Sequence, residues 1–257
     1  MITPALLVGQ GRRKTAPVKR STPVPAATPA ATPQAAPEPT PQVGKKNSRG
    51  TEAKSDETAP AKGYTPVYVY TFDRPGFDYS KIRIEHDEDG RGRIWFKPDN
   101  EDTPFDDPLQ LSPGTLAILK NAFDELHFLD STEEYQFAGH DFSNLGNLSI
   151  TVTRGGKTRA VRYNWTDNKV AKLLMDTYRG IAQEATWKFE MGIARENQPL
   201  STPGLADVMD DYIKRSEIPD PTHLIPYLRE LSIDERLPLI ARNHFTRIAD
   251  SIAKTKK

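Results

Sequence analysis

From Pro66 to Phe72 the chain alternates, with Val67 and Val69 on one side and Tyr68, Tyr70 and Phe72 on the other. β-branched and aromatic residues at period two predict a strand buried at least partly on both faces. Asp73-Arg74-Pro75-Gly76 reads as a turn. Ile82, Ile84 and His86 then alternate with Arg83 and Glu85, and Ile94 and Phe96 with Arg93, Trp95 and Lys97. Between them Asp87-Glu88-Asp89-Gly90-Arg91-Gly92 predicts a hairpin turn. A second hairpin has Leu148, Ile150 and Val152 on its first arm, Arg154-Gly155-Gly156-Lys157 at its tip, and Val161, Tyr163 and Trp165 on its return arm.

The period changes to helical between and after the hairpins. Pro98 to Leu111 reads as an acidic loop, after which Ser112 and Pro113 are the N-cap and first residue of a helix. Leu116, Leu119, Phe123 and Leu126 form that helix's apolar stripe. Asp167 is placed to cap a long helix from Asn168 to about Arg195, with Val170, Leu174, Tyr178, Ile181 and Ala185 facing inward. Thr202-Pro203 and Asp220-Pro221 open further helices, and Ser232-Ile233-Asp234-Glu235 has the form of a capping box. Pro226 and Pro238 predict kinks or restarts, and the last helix is expected to bury Ile240, His244 or Phe245, Ile248 and Ile252. These patterns predict an α+β fold: an antiparallel sheet of two hairpins plus an N-terminal strand, helices on one face, and a small C-terminal helical subdomain. The expected boundaries are 64–198 for the sheet domain and 199–257 for the helical subdomain.

Composition changes the picture for the first quarter of the 257-residue chain. Ten of the 22 prolines fall within residues 1–63, where large apolar side chains are scarce. Residues 11–63 read as a disordered, basic Pro/Ala/Thr-rich tether, because little there can be buried to offset the entropy of ordering. The neutral net charge hides an asymmetry: residues 1–63 carry ten Lys/Arg and four Asp/Glu, and the remainder carries 25 basic and 31 acidic residues. Met1-Ile2-Thr3-Pro4-Ala5-Leu6-Leu7-Val8-Gly9 has the form of the end of a secretory signal, so residues 1–10 read as a truncated signal remnant with the true start upstream. Periplasmic or secreted localisation is therefore expected, with a cytoplasmic location as the alternative. No run approaches the roughly 18 apolar residues of a membrane-spanning helix. The absence of Cys excludes disulfide scaffolds, Cys-based zinc sites and Cys nucleophiles.

From about Ser80 to Gln183 the chain resembles an uncharacterised bacterial exported β-β-α-β-β-α domain family of unknown function. The resemblance is carried by Asp89-Gly90 before Ile94-Trp95-Phe96, by Ser112 opening a helix that ends Ala122-Phe123-Asp124-Glu125-Leu126-His127-Phe128-Leu129, by Glu134-Tyr135, by a loop holding Asp141, and by the strand Ser149-Ile150-Thr151-Val152. It implies a fold and an extracytoplasmic location. It implies no reaction and no catalytic residues.

Motifs that would carry chemistry mostly fail on their spacing. Glu85-x-Asp87-x-Asp89-Gly90 imitates the start of a calcium loop, but its twelfth position is Phe96 rather than a bidentate acid. Gly156-Lys157-Thr158 lacks the glycine a phosphate loop needs five residues before Gly156, where Thr151 stands. Asp99, Glu101, Asp102, Asp106 and Asp107 read as solvated acids, with weak divalent-ion binding as the alternative. None of His86, His127, His140, His223 and His244 lies four residues from another, and no G-x-S-x-G elbow is present. His140-Asp141 reads as a turn or surface feature of a loop, with part of a site shared with Tyr135 as the alternative. The sequons at Asn147 and Asn164 fall in expected strands. Trp95, Trp165 and Trp187 with Tyr68 and Tyr70 are assigned to the core or the sheet surface, with a sugar- or peptide-binding groove as the alternative.

The chain thus reads as a non-enzymatic exported or envelope-associated binding module of unknown ligand, with no cofactor or metal and no assigned catalytic residue. Its expected partner is a protein or a cell-envelope component. The alternatives are an enzyme built from loop residues around His140, and nucleic-acid binding through the basic arm, which the dispersed charges disfavour. An exposed aromatic patch without converging polar groups favours the module, whereas a pocket where His140 meets two carboxylates favours the enzyme.

Overall fold

The computed structural model describes residues 63–98 and 103–255. The expected signal remnant, and the expected tether up to residue 62, lie outside the described residues. Six strands, β1 (Tyr68–Asp73), β2 (Tyr79–His86), β3 (Arg91–Pro98), β4 (Phe105–Gln110), β5 (Asn147–Arg154) and β6 (Lys157–Tyr163), form one antiparallel sheet in the order β4-β3-β2-β1-β5-β6. β1 is central, paired with β2 on one edge and β5 on the other; Tyr68 and Tyr70 are buried on one face, and Val69 and Thr71 are partly buried on the other. Helices α1 (Pro113–Glu125) and α2 (Lys169–Asn197) lie on one face of the sheet, and three further helices follow: α3 (Thr202–Lys214), α4 (Ile225–Ile233) and α5 (Leu239–Thr255). This is the expected α+β architecture.

Pleating sends Tyr68, Tyr70, Ile84, Ile94, Phe96, Leu148, Ile150, Val152, Val161 and Tyr163 to the inner face, where they meet Leu119 and Phe123 of α1 and Leu174, Tyr178 and Ile181 of α2. Each such side chain contributes about 1.5–3 kcal/mol relative to remaining exposed. The register matches Ile84 with Ile94 and His86 with Gly92. A Cβ on Gly92 would stand 1.9 Å from the Glu85 carbonyl oxygen, so glycine alone fits there. His86 is buried with the aromatic residues; its ring stacks on Tyr68 at 4.8 Å.

α2 serves two cores. Its first turns cover the sheet, while Trp187, Met191 and Ala194 join Met209, Leu224, Leu228, Leu231, Phe245 and Ile248 in a second cluster. The segment after α3 crosses α2 at Gly180, where a Cβ would meet the Glu217 carbonyl oxygen at 2.2 Å. Two polar contacts fasten the helical part to the sheet part: Ser112 Oγ donates to Asp220 Oδ2 at 2.7 Å, and His223 Nε2 lies 2.7 Å from Glu184 Oε1.

Several local expectations are corrected. The acidic loop is partly a strand: β4 pairs with β3 from Arg91–Gln110 to Phe96–Phe105. Its Pro108 suits an edge, where one side of the backbone has no strand partner to serve. Asn168, not Asp167, caps α2, accepting from the Val170 and Ala171 amides at 3.0 Å. The segment Ser232–Glu235 does not cap a helix: Ser232 is inside α4, and Asp234 closes the following turn by accepting from the Arg236 amide. α5 begins after Pro238 and buries Ala241 in place of Ile240, which is 66% exposed.

Candidate functional site

Among the described residues the helices pack on one face of the sheet, and no helix covers the other. Across it run two rows of matched residues: Arg162, Ser149, Thr71, Arg83, Trp95 and Asp106, and beside them Ala160, Thr151, Val69, Glu85, Arg93 and Pro108. Trp95 is half-buried between two guanidinium groups, with Arg83 5.7 Å and Arg93 5.6 Å from its ring centre. Both arginines also hold carboxylates, Arg83 on Glu85 and Arg93 on Asp106. Tyr64 donates to Glu85 Oε1 at 2.6 Å, and burial, followed by that contact, pushes its hydroxyl pKa up.

At the end of β5 and β6 this face runs into a groove of about 470 Å³ whose lining includes Gln136, His140, Asp141, Asn147, Arg162 and Asn164. The hairpin register generates it. Leu148 faces Tyr163, so the next outward pair, Asn147 and Asn164, stands where the strands part. Asn164 is only 3% exposed. Its amide nitrogen donates to Asp141 Oδ1 and, at 3.4 Å, to Asn147 Oδ1. Its Oδ1 accepts from Gln136 Nε2 at 3.0 Å, and its backbone amide donates to Gln136 Oε1 at 2.9 Å. One buried carboxamide therefore fixes three groove residues.

Aromatic rings and an arginine hold the loop that supplies Gln136 to Asp141. Phe137 packs edge-on against Trp165 at 4.6 Å, and its amide donates to the Trp165 carbonyl. Upstream, Arg159 at the sheet edge donates to the carbonyls of Phe128 and Glu133 and to Tyr135 Oη, with its guanidinium 4.9 Å from the Phe128 ring. Gly146, at φ +82, turns the chain into β5 against Phe72, where any Cβ would stand 2.6 Å from the ring.

No family model matches the chain, and no curated protein does.

The structure brings some of the expected site residues together and separates others. His140 and Asp141 both line the groove, but both are exposed; His140 rests edge-on against Phe142, and Asp141 is held by Asn164. Tyr135 is not with them: it is 3% exposed, in the core beside Tyr163. Asp106 and Asp107 lie on β4, at the opposite edge of the sheet from β6, while Asp99, Glu101 and Asp102 lie outside the described residues. Trp187, Tyr68 and Tyr70 are core residues, and the Trp187 indole donates to the Leu205 carbonyl at 2.8 Å. Asp87, within the calcium-like run, accepts from the Asp89 and Arg91 amides and so closes the β2–β3 turn. Among the described residues no group of three His, Asp or Glu side chains is arranged to hold a metal ion.

Two other polar clusters serve structure. Ser112, Asp220 and His223 lie near one another, but Ser112 Oγ caps α1 through the Thr115 amide and His223 is turned to Glu184. Between α3 and α5, His244 lies 3.0 Å from Asp210 and 3.2 Å from Asp207, and Lys214 also bonds Asp210. Burial favours a neutral Asp210, but the bonds from Lys214 and His244 outweigh it and lower its pKa.

Residue-by-residue reading missed Arg162 and Gln136 as groove residues and noticed Asn147 and Asn164 only as sequons. The signal was in the register: counting outward from Gly155-Gly156 sets Asn147 opposite Asn164.

Proposed function

We propose that this protein is a non-enzymatic, exported or envelope-associated binding module that engages its partner through the open face of the sheet. The observation that supports this most is the Arg83–Trp95–Arg93 cluster at the middle of that face. A half-buried indole between guanidinium groups offers apolar area and fixed donors, the composition enriched where proteins meet partners. Asp106 and Glu85 orient the arginines and leave part of each side chain exposed. His140 is exposed at the groove and rests edge-on against Phe142, a position suited to contact with a ligand. The export half of the reading rests on the apolar stretch before Gln10, the Pro/Ala/Thr-rich segment and the family resemblance.

A photo-crosslinking residue at position 83, with the probe at Lys172 on the helical side as control, tests the surface in intact cells. A discrete adduct from position 83 that disappears in Trp95→Ala is the expected result. Identical labelling from both positions, or substrate turnover by the purified protein, would overturn the reading. Fractionation of the same cells tests export.

A further inference from the structure

We infer that the groove between the 136–142 loop and the ends of β5 and β6 binds an acidic saccharide, a sugar unit carrying a carboxylate; this rests on the binding-module reading. Arg162 supplies the first reason. Its side chain is exposed at the rim and forms no ion pair with a described residue, whereas Arg83 and Arg93, further across the same face, are both paired. A free guanidinium fork accommodates a carboxylate bidentately. The rest of the lining suits hydroxyl groups. Each hydroxyl both donates and accepts; Asn147 keeps its amide Nδ2 as a donor while its Oδ1 accepts from Asn164, and Gln136 Oε1 keeps a lone pair beside the Asn164 amide. Asp141 adds an acceptor, and Phe137 and His140 add ring surface for the apolar face of a pyranose.

The site is organised before a ligand arrives. Asn164 already holds Gln136, Asp141 and Asn147, so the freedom lost on binding falls mainly on Arg162. The groove, at about 470 Å³, is an open depression, so a sugar seated in it keeps one face in solvent. Asp141 imposes a polarity on the bound sugar: the carboxylate lies towards Arg162 and hydroxyls face Asp141, because the reverse would set two anions together.

The test uses the full chain with Trp95→Phe, so that Trp165 beside Phe137 is the responsive indole and Trp187 stays buried. Titrants are a uronic-acid disaccharide, the same disaccharide with its carboxyl group reduced to the alcohol, and acetate. The acidic disaccharide is expected to change Trp165 emission with a Kd below about 1 mM, and the reduced sugar to bind at least about tenfold more weakly. Arg162→Gln, an exposed substitution, should bring the two sugars to equal affinity, and Asn147→Ala should weaken both. No response to the acidic disaccharide, equal affinity for acid and alcohol in the parent protein, or acetate binding as tightly as the sugar would each overturn the inference. Crosslinking from position 83 separates it from the broader reading: an adduct there without sugar binding removes the saccharide and keeps the module. Cleavage of the disaccharide would remove the module reading itself.

Discussion

The Tyr178 hydroxyl donates to His86 Nε2 at 3.0 Å in the middle of the sheet core. His86 Nδ1 lies 2.9 Å from the Asp87 carbonyl, which can only accept, so Nδ1 carries the proton and Nε2 is left to receive the tyrosine. The pair satisfies two polar groups that would otherwise be costly to bury, but only while the imidazole is neutral.

That condition makes stability fall in acid. Burial lowers the His86 pKa from 6.5 to about 4, against the smaller raising effect of Asp87. Above pH 6.5 both folded and unfolded states hold a neutral ring. Below it the unfolded state takes up the proton first, so stability is lost as pH falls towards 4. The group's contribution to this loss is about 3 kcal/mol. Urea midpoints at pH 7 and pH 5 should differ markedly in the natural protein and much less in His86→Gln. An equal drop in both would show that another group is responsible.

His223 works in the opposite direction. Burial alone would lower its pKa, but the hydrogen bond and charge of Glu184 outweigh burial and raise it above 6.5. The tie between α2 and the segment before α4 is therefore fully present below pH 6.5 and weakens as pH rises through the raised value. The melting temperature should decline above neutrality in the natural protein, and His223→Gln should flatten that decline. A variant that keeps the full slope would contradict the assignment.

Two glycines of α2 should respond to alanine with opposite signs. A Cβ at Gly180 would overlap the Glu217 carbonyl oxygen and lie 2.7 Å from Pro219 Cδ, whereas one at Gly192 would meet nothing within 4 Å. Gly180→Ala is expected to cost about 1–3 kcal/mol through overpacking. Gly192→Ala should gain about 0.5–1 kcal/mol, the difference in helix propensity. Denaturant unfolding of the two variants checks both signs.

Arg159 should govern the loop that carries the groove. Its guanidinium holds two carbonyls and the Tyr135 hydroxyl and covers the Phe128 ring. Arg159→Ala removes donors from groups that remain partly buried, at about 1–3 kcal/mol. Limited proteolysis and amide exchange should show faster opening of residues 128–142, with the β2–β3 hairpin unchanged. Uniform destabilisation across the chain would mean the arginine acts on the whole fold.

How far the fold was legible depends on how each element is held. Alternation located β1, β2, β3, β5 and β6 because their inner residues are buried by the sheet's own geometry, and Ser112 with Pro113 marked the start of α1 by local chemistry alone. β4 was invisible: in Phe105–Gln110 only Phe105 and Leu109 reach apolar neighbours, and pairing with β3 supplies the rest of its order. Ser232–Glu235 misled because a capping box describes a local option, and burying Leu231 and Leu237 fixed the chain otherwise.

By itself the sequence determined which residues point inward and where most helices and strands begin, since side-chain period and capping act within a few neighbouring residues. Only the tertiary structure decided that His86 would sit neutral under Tyr178, that Tyr135 would leave His140 for the core, and that Gln136, Arg162 and Asn164 would line one groove. Those outcomes depend on strand order and on contacts between distant segments, where the energy of burial outweighs local preference.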